Sequence, residues 1–250
     1  MRILVSNAGI YKNPSHMSEM VTECLFGEAV KIIKKDKDWY FVQTELDKYR
    51  GWVVKSNLGK LGDPTHKISI CKSFLLQKPN IKSKFLMNLS LGSLLKVKKQ
   101  RHIDSDFLCV KYKQNGEIAY VPKNHINKIN DVRPDWVKVA LEMIYTPYKW
   151  GGRSIYGLDC SALVQVSLNQ AGILFPRDTK DQVLYSKDIC KEIKTLQKGC
   201  IVFWKGHVGI GLNNKEIIHA NAYTKNVSIE NFEIVKKRIN QKIEKIIKLN

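Results

Sequence analysis

The sequence predicts a multidomain chain, in which two small all-β barrels precede a third domain of α+β type. Three observations predict this: short apolar runs of strand length in the first half, a repeat within that half, and a change to helical spacing after residue 130. A chain of 250 residues with 44% apolar residues can bury a core, and its length predicts roughly two domains, give or take one. We therefore expect domains at residues 1–62, 63–129 and 130–250.

The first 129 residues carry an internal repeat. In the first copy, four apolar runs (RILVS, EAVKIIKK, WYFVQTE and RGWVVKS) predict strands, and turn-forming Asn, Pro and Asp residues separate them. Matched residues lie 65 positions apart early in each copy and 68 apart later, which indicates a tandem repeat with a three-residue insertion near residues 101–106. The matched pairs are Pro14 and Pro79, Gly27 and Gly92, Trp39 and Phe107, and Trp52 and Tyr120.

The net charge of +19 comes from 42 Lys and Arg residues against 23 Asp and Glu residues. The excess is mostly lysine spread along the chain, and no basic segment alternates with aromatic residues as single-strand binding requires. We expect a solvated basic surface and no nucleic-acid partner. No apolar run has the length of a membrane span, and residues 1–25 lack the pattern of an export signal, so we expect a cytoplasmic protein with no membrane partner. The sequence indicates no oligomeric state.

The third domain opens with helical spacing. In PDWVKVALEMIYT, Pro134 predicts a helix start, and Val137, Ala140, Leu141 and Ile144 fall on one face.

The next block, WGGRSIYGLDCSALVQ, places a cysteine at the start of a second helix. Asp159 is a favoured N-cap residue, Cys160 takes the first helical position, and Gly172 closes the helix. Backbone N–H groups and the helix dipole at this position favour the thiolate and predict a lowered pKa for Cys160. None of the six cysteines forms a CxxC pair, and we expect free thiols.

Two histidines are candidates for the base and its orienter. His207 stands at a strand start in GCIVFWKGHVGIGL, and His219 lies on the following strand in KEIIHANAY. His207 lies directly opposite His219 if the numbers of facing residues add to 426, which requires a three-residue loop centred on Asn213. A two-residue Asn213–Asn214 turn would put the imidazoles on opposite faces. With the right register, the three side chains form the nucleophile, base and orienter of acyl transfer.

Two other chemistries fit the same residues less well. A zinc site of Cys160, His207 and His219 lacks closely spaced ligand pairs. A Ser161 nucleophile would need a GxSxG elbow, which is absent. We expect no metal and no cofactor.

Four blocks, YKWGGRSIYGLDCSALVQ, GILFPRDTKDQ, GHVGI and IIHANAY, resemble in order and spacing the NlpC-type cysteine peptidases of bacterial cell-wall peptides. The resemblance implies a papain-like fold with a triad of Cys160, His207 and His219. It also implies that Tyr148 helps to bind substrate and stabilise the oxyanion, and that Asp159 and Ser161 line the pocket for the amino end of the substrate.

The barrels resemble bacterial SH3-like domains, in particular at GWVVKSNL and AYVPKNHI. Two such domains before the peptidase are similar to the family's recycling enzymes, γ-D-glutamyl-amino-acid endopeptidases that cut murein peptides with a free N-terminal L-Ala. There the first SH3-like domain helps to build the pocket. The resemblance therefore implies that Glu28 pairs with the substrate ammonium and that Tyr49 excludes glycan-linked chains. The alternative is that both are ordinary barrel residues.

The chain departs from the family pattern at Cys200, where an aspartate is usual, and at Ala162, where a glycine is usual. Two alternative functions stay open: an exported hydrolase of intact wall, and a non-catalytic module that binds cell-wall peptides. The sequence leaves diaminopimelate or lysine open at the third substrate position. The C-terminal segment predicts either one lysine-rich helix or a helix followed by an edge strand from about Ile243.

Overall fold

In a computed structural model that describes residues 1–98 and 106–249, the chain divides into two compact units, Met1–Asp131 and Val132–Asn250. The division falls within the predicted linker at residues 130–136. The predicted insertion near residues 101–106 lies outside the described residues except for Asp106. The finer division of the first unit at residue 62 stays a prediction.

The first sheet of the first unit is antiparallel and built from residues 1–62. Its strands are β1 (Arg2–Ile3), β2 (Asn7–Tyr11), β3 (Met20–Leu25), β4 (Val30–Asp36), β5 (Trp39–Thr44), β6 (Arg50–Val54) and β7 (Leu58–Gly59). Five strands pair in the order β3-β2-β6-β5-β4, and β1 pairs with β7. The sequence analysis missed β2 and β3, because the Asn, Ala and Gly of NAGIY have low strand propensity and MVTECL contains a charged residue. That residue, Glu23, is buried and accepts a hydrogen bond from Asn7 at 2.8 Å.

The second sheet of this unit follows the same plan. Its strands are β8 (His66–Ile68), β9 (Lys72–Leu76), β10 (Phe85–Ser90), β11 (Leu94–Val97), β12 (Phe107–Lys111), β13 (Ile118–Pro122) and β14 (Ile126–Lys128). The order β10-β9-β13-β12-β11 repeats that of the first sheet, and β8 and β14 pair at its end as β1 and β7 pair in the first.

The repeat extends to individual hydrogen bonds, with the predicted offset of 65. Gly27 N donates to Ile3 O and Gly92 N donates to Ile68 O, both at 2.9 Å. The two glycines adopt φ of +80° and +87°. In the turn that contains each glycine, Leu25 N donates to the carboxylate of Glu28, and Ser90 N donates to the hydroxyl of Ser93. The two copies therefore close one turn with different side chains.

The second unit is an antiparallel sheet with four helices. Its strands pair in the order β17-β22-β18-β19-β20-β21, and β15 pairs with β16. Helix α2 is buried along almost its whole length and contacts β19 and β20. The elements are α1 (Trp136–Leu141), β15 (Arg153–Ser154), β16 (Gly157–Leu158), α2 (Cys160–Gln170), α3 (Thr179–Ile189), β17 (Cys190–Glu192), β18 (Cys200–Trp204), β19 (His207–Gly211), β20 (Glu216–Asn221), β21 (Asn226–Asn231), α4 (Phe232–Ile239) and β22 (Ile243–Leu249).

Three predictions for this unit need adjustment. Helix α1 begins after Pro134, and Val137 and Ala140 are buried as predicted, but Leu141 is 37% exposed while Trp136 and Val139 are also buried. Helix α2 has no single apolar stripe, since almost every side chain is buried. The strand from Ile243 forms as one alternative had it, but it lies between β17 and β18 and not at an edge.

Among the helices of the described residues, none has the length and apolar character needed to cross a membrane.

The Gly27 turn generates a stability prediction. A Cβ at Gly27 would lie 2.0 Å from the backbone oxygen of Leu94, whereas a Cβ at Gly116, which also has positive φ, would meet nothing within 4 Å. We expect Gly116→Ala to lower the free energy of unfolding by about 1 kcal/mol, from backbone strain alone. Gly27→Ala adds a backbone clash and is expected to lower it by about 3 kcal/mol or more. Urea unfolding of both variants measures the difference, and equal losses would contradict the described packing.

Candidate active site

Cys160 is the first residue of α2, as predicted. Asp159 has extended backbone before it, and its carboxylate accepts a hydrogen bond from Ala162 N at 2.9 Å, which is an N-cap. Gly172 follows the helix with φ of +81°. The local signals in the sequence therefore positioned this helix correctly.

The Cys160 thiol is almost completely buried and lies among three hydrogen-bond donors. The backbone N–H groups of Val208 and Ser161 and the hydroxyl of Thr179 all donate to the sulfur. Because Val208 directly follows His207, the thiol lies beside the start of β19. The structure therefore brings Cys160 next to the strand that carries the predicted base.

Asp159 is the centre of a buried polar network. Arg177 binds its carboxylate with both terminal nitrogens, at 2.9 and 2.7 Å, and both side chains are buried. Gly151 N donates to the same carboxylate at 3.0 Å, and the Ser161 hydroxyl donates at 3.1 Å while accepting from Arg177. Arg177 also donates to Gly152 O. Both oxygens of Asp159 thus accept hydrogen bonds inside the second unit, and its contact with a substrate stays a prediction.

The expected low pKa of Cys160 is wrong. Burial of the thiol and the negative charge of Asp159 raise the pKa of Cys160 to about 11, and the donors from Val208, Thr179 and Ser161 offset only part of this. The sequence analysis considered the helix terminus alone, and the helix terminus is outweighed by burial and by the N-cap aspartate that starts the helix. Cys160 is therefore a neutral thiol near pH 7.

The hairpin that carries the histidines has a different register from the one predicted. Ile210 faces Ile218 and Gly211 faces Ile217, so the numbers of facing residues add to 428 and not 426. The loop does contain three residues, 213–215, but Asn214 is at its centre. The side chain of Asn213 accepts from two backbone N–H groups within the loop, which holds this geometry.

Because 426 and 428 have the same parity, both histidines still lie on one face of the sheet. In this register Gly209 faces His219, and His207 lies diagonally across from His219. The Nε2 atom of His207 is 2.8 Å from Nδ1 of His219. A Cβ at Gly209 would lie 3.3 Å from the Cβ of His219, so the glycine leaves room for this diagonal contact.

Both imidazoles are held neutral. Burial lowers the pKa of His207 to about 3; the neighbouring His219 and the charge of Arg238 act in the same direction, and Glu230 has a smaller opposing effect. Burial also lowers the pKa of His219, although its hydrogen bond to Glu230 opposes this. The resting site therefore pairs a neutral thiol with neutral imidazoles, and His207 is free to accept a proton at pH 7.

Tyr148 lies close to the thiol. Its backbone forms a bridge to Leu158, two residues before Cys160. Burial and the nearby Cys160 and Asp159 groups raise the pKa of Tyr148 to about 12. The phenol therefore keeps its proton and can donate a hydrogen bond beside the sulfur.

The segment FPRDTKDQ ties α3 to α2, and the sequence analysis gave its residues no roles. Arg177 binds Asp159, and Thr179 donates to the Cys160 sulfur. Gln182 donates to the backbone oxygens of Ser161 and Pro176, at 3.0 and 2.9 Å. Asp159 itself was the signal that could have revealed Arg177, because a carboxylate buried at a helix start requires a cation as partner.

Cys200, the departure from the family pattern, is buried at the start of β18. Its sulfur accepts from Gln197 N at 3.5 Å, and burial raises its pKa. A Cβ at Gly211 would lie 2.6 Å from this sulfur. The thiol thus occupies the space that Gly211 leaves, and the strand begins without an aspartate.

Glu28 and Tyr49 lie in the first unit. Glu28 is 8% exposed, and one of its carboxylate oxygens accepts from Leu25 N at 2.8 Å. Tyr49 is half-buried in the turn between β5 and β6, where its backbone exchanges hydrogen bonds with Thr44. Their roles in substrate binding stay predictions.

A thiol at a helix start, next to the strand that begins with one member of a hydrogen-bonded histidine pair, supplies the residue types that nucleophilic catalysis by cysteine uses. Residues 145–243 match the family model described as NlpC/P60 family, and residues 10–58 match the model of the bacterial dipeptidyl-peptidase Sh3 domain. The chain therefore contains an NlpC/P60 domain and, N-terminal to it, a bacterial dipeptidyl-peptidase SH3 domain.

Three relatives illustrate the similarity. The chain is 29% identical to dipeptidyl-peptidase 6 of Lysinibacillus sphaericus, over 92% of this chain and 91% of that protein. It is 25% identical to the γ-D-glutamyl-L-lysine dipeptidyl-peptidase of Bacillus cereus, over 86% of this chain and 71% of that protein. The fold resembles the solved structure of an NlpC/P60 family protein from Bacillus cereus, with a TM-score of 0.82 and 20% identity over 99% of this chain and 98% of that one.

The raised pKa of Cys160 predicts how the thiol reacts. We expect the rate of Cys160 alkylation by iodoacetamide to rise roughly tenfold per pH unit from pH 6 to 9, because the thiolate fraction rises in that proportion below the pKa. Peptide mass spectrometry isolates this site from the other cysteines, and Cys160→Ala supplies the blank. A plateau across neutral pH would indicate a thiolate–imidazolium pair and contradict the neutral resting site.

Proposed function

We propose that this protein is a cysteine endopeptidase that hydrolyses the γ-D-glutamyl bond to diaminopimelate or lysine in short murein peptides with a free N-terminal L-Ala. The observation that carries the proposal is the hydrogen-bonded His207–His219 pair beside the Cys160 thiol. The names of the relatives from Bacillus cereus and Bacillus subtilis, both γ-D-glutamyl-L-lysine dipeptidyl-peptidases, support the bond type.

In the first half-reaction, the Cys160 sulfur attacks the γ-carbonyl carbon of D-Glu and its proton passes to His207. Because the pKa of the thiol is raised to about 11 and that of His207 is lowered to about 3, a stable ion pair is unfavourable. Proton transfer therefore accompanies attack. The oxyanion accepts hydrogen bonds from the Tyr148 phenol and from the backbone at the start of α2.

Collapse of the tetrahedral intermediate breaks the C–N bond, and the imidazolium of His207 returns its proton to the leaving amine. A water then attacks the thioester, again losing a proton to His207. The C–S bond breaks, and the sulfur regains its proton as the dipeptide leaves as an acid. His219 keeps His207 in place through both half-reactions, so the triad returns to its neutral state.

We further propose that the substrate's amino end is recognised by Asp159, Ser161, Glu28 and Tyr49, as the family resemblance implies. The negative charge of Asp159 supports binding of an ammonium group. Arg177 already binds both oxygens of this carboxylate, so the substrate would share it with Arg177. We also propose that residues 63–129 form a second SH3-like domain, because their strand order repeats that of the first sheet. Two further proposals are that the peptidase unit has a papain-like fold and that the enzyme acts in the cytoplasm.

The substrate proposal predicts which peptides are cleaved. We expect release of the third residue from L-Ala-γ-D-Glu-diaminopimelate or L-Ala-γ-D-Glu-L-Lys, at least roughly tenfold faster than from the N-acetylated forms, because an amide cannot pair with a carboxylate as an ammonium does. Chromatography of the products measures both rates. Equal rates on free and acetylated peptides, or cleavage of whole wall in preference to either, would rule out the proposed recognition.

Two cysteine variants serve as controls in that assay. Cys160→Ala is expected to lower the rate by roughly a thousandfold or more, since it removes the nucleophile. Cys190→Ala removes a partly exposed thiol of the same unit and is expected to leave the rate unchanged.

A variant of Glu28 can separate its hydrogen bond in the turn from its proposed pairing with the substrate ammonium. Glu28→Gln keeps an oxygen that accepts from Leu25 N but removes the charge, so we expect the turn to form and the KM for free-amine peptides to rise roughly tenfold. Ser93→Ala removes the equivalent turn bond of the second sheet and is expected to lower stability with KM unchanged. A Glu28→Gln variant with wild-type KM would leave Glu28 as an ordinary barrel residue.

A further inference from the structure

The hydrogen-bond chain of the site does not end at His219. The Nε2 atom of His219 lies 2.9 Å from a carboxylate oxygen of Glu230, on the neighbouring strand β21. The other carboxylate oxygen of Glu230 accepts from Arg238 of α4 at 2.7 Å. The guanidinium of Arg238 also stacks over the ring of Tyr223, 4.1 Å from its centroid. A half-buried carboxylate, itself bound by an arginine that also stacks on Tyr223, thus contacts the histidine pair from the side of His219.

The carboxylate determines which nitrogen of His219 carries the proton. Glu230 only accepts hydrogen bonds, so Nε2 of His219 must be protonated to donate to it. In neutral His219 the lone pair is then on Nδ1, which accepts the Nε2 proton of His207. The remaining lone pair of His207 is therefore on Nδ1, the ring atom that is not used by His219. One acceptor fixes the tautomers of two imidazoles.

Asn221 is the contact that competes with this arrangement. Its amide nitrogen lies 3.2 Å from Nε2 of His219 and would favour a lone pair there. The amide orientation is fixed, because its oxygen accepts from Tyr223 N and Thr224 N. Its nitrogen, however, has Ser228 as another acceptor at 3.0 Å. The charged acceptor at the shorter distance prevails, since charge-assisted hydrogen bonds are about twice as strong as neutral ones.

Glu230 is kept ionised for this task. Burial acts to raise its pKa, but the hydrogen bonds from Arg238 and His219 outweigh burial, and the pKa lies below its usual value. His207 is affected by His219, by Glu230 from β21 and by Arg238 from α4, and His219 is affected by Glu230 and Arg238. The arginine also balances the carboxylate, so that His219 is not drawn into a charged pair.

We propose that Glu230, held by Arg238, is a positioning residue that fixes the tautomers of His219 and His207 and so presents the Nδ1 lone pair of His207 to the Cys160 thiol. The role of His207 as base rests on the proposed function. The tautomers themselves do not, and the two are tested separately.

The first measurement uses the unmodified protein. Nitrogen-15 NMR of the histidine side chains distinguishes protonated from unprotonated ring nitrogens, and we expect His207 and His219 both protonated on Nε2 at pH 7. Protonation of His219 on Nδ1 would overturn the proposal whatever the enzyme cleaves. If the expected tautomers appear in a protein that cleaves no murein peptide, the proposed function fails and the positioning role stands.

The second measurement compares matched glutamate variants. Glu230→Gln can offer an amide N–H to Nε2 of His219, which favours the wrong tautomer, so we expect kcat roughly 10- to 100-fold lower with KM within roughly twofold. Glu233→Gln makes the same change at an exposed residue of α4 paired with Lys236, and is expected to leave kcat unchanged. Wild-type kcat in folded Glu230→Gln would overturn the proposal.

The third measurement is the pH at which the histidine pair gains a proton, followed by NMR. Glu230→Gln leaves the Arg238 charge unbalanced, so the pair should protonate at lower pH than in the wild type. Arg238→Gln removes that charge and should move protonation to higher pH. A merely structural role predicts no such opposed shifts, and shifts in one direction for both variants would contradict the described pairing.

Discussion

The buried ion pair between Asp159 and Arg177 is the interaction on which the rest of the second unit depends. One carboxylate caps α2, holds the glycine loop through Gly151 and anchors the segment before α3 through the guanidinium. The glycine loop, the start of α2 and the segment before α3 thereby share one charge. Removal of either partner would leave the other charge buried alone, which typically destabilises a protein by about 3–5 kcal/mol.

The same charge shapes the chemistry beside it. A carboxylate next to Cys160 opposes ionisation of the sulfur, so the site does not store a thiolate. The histidine pair is also neutral, so His207 has an unprotonated ring nitrogen that can accept the thiol proton when the sulfur forms its new bond. Burial thus keeps both Cys160 and His207 neutral. Hydrogen bonds, and not an ion pair between the two, hold the side chains in place. Glu230 and Arg238 keep their opposite charges one layer further from the sulfur.

Local signals in the sequence were sufficient for part of the site. The N-cap, the first helical position of Cys160 and the strand start at His207 depend on near neighbours, and all three were predicted. The hairpin was predicted in parity, but the sum of facing residue numbers was two too low, since Asn213 and Asn214 are both good turn residues and the hydrogen bonds of the Asn213 side chain centre the loop on Asn214. Arg177, Glu230 and Arg238 were missed because each acts through a residue from another element. The pKa of Cys160 was predicted in the wrong direction because helix termini are visible in a sequence and burial is not.

The two sheets of the first unit close the same turn with different chemistry. In the second sheet a serine hydroxyl accepts the backbone N–H, and in the first a glutamate does so. The serine demonstrates that a neutral oxygen can accept this backbone N–H, so this hydrogen bond alone does not require the charge of Glu28. A repeated domain provides an internal comparison in this way. Where the two copies share the hydrogen bond of a turn but differ in charge, the neutral copy shows that the bond forms without the charge.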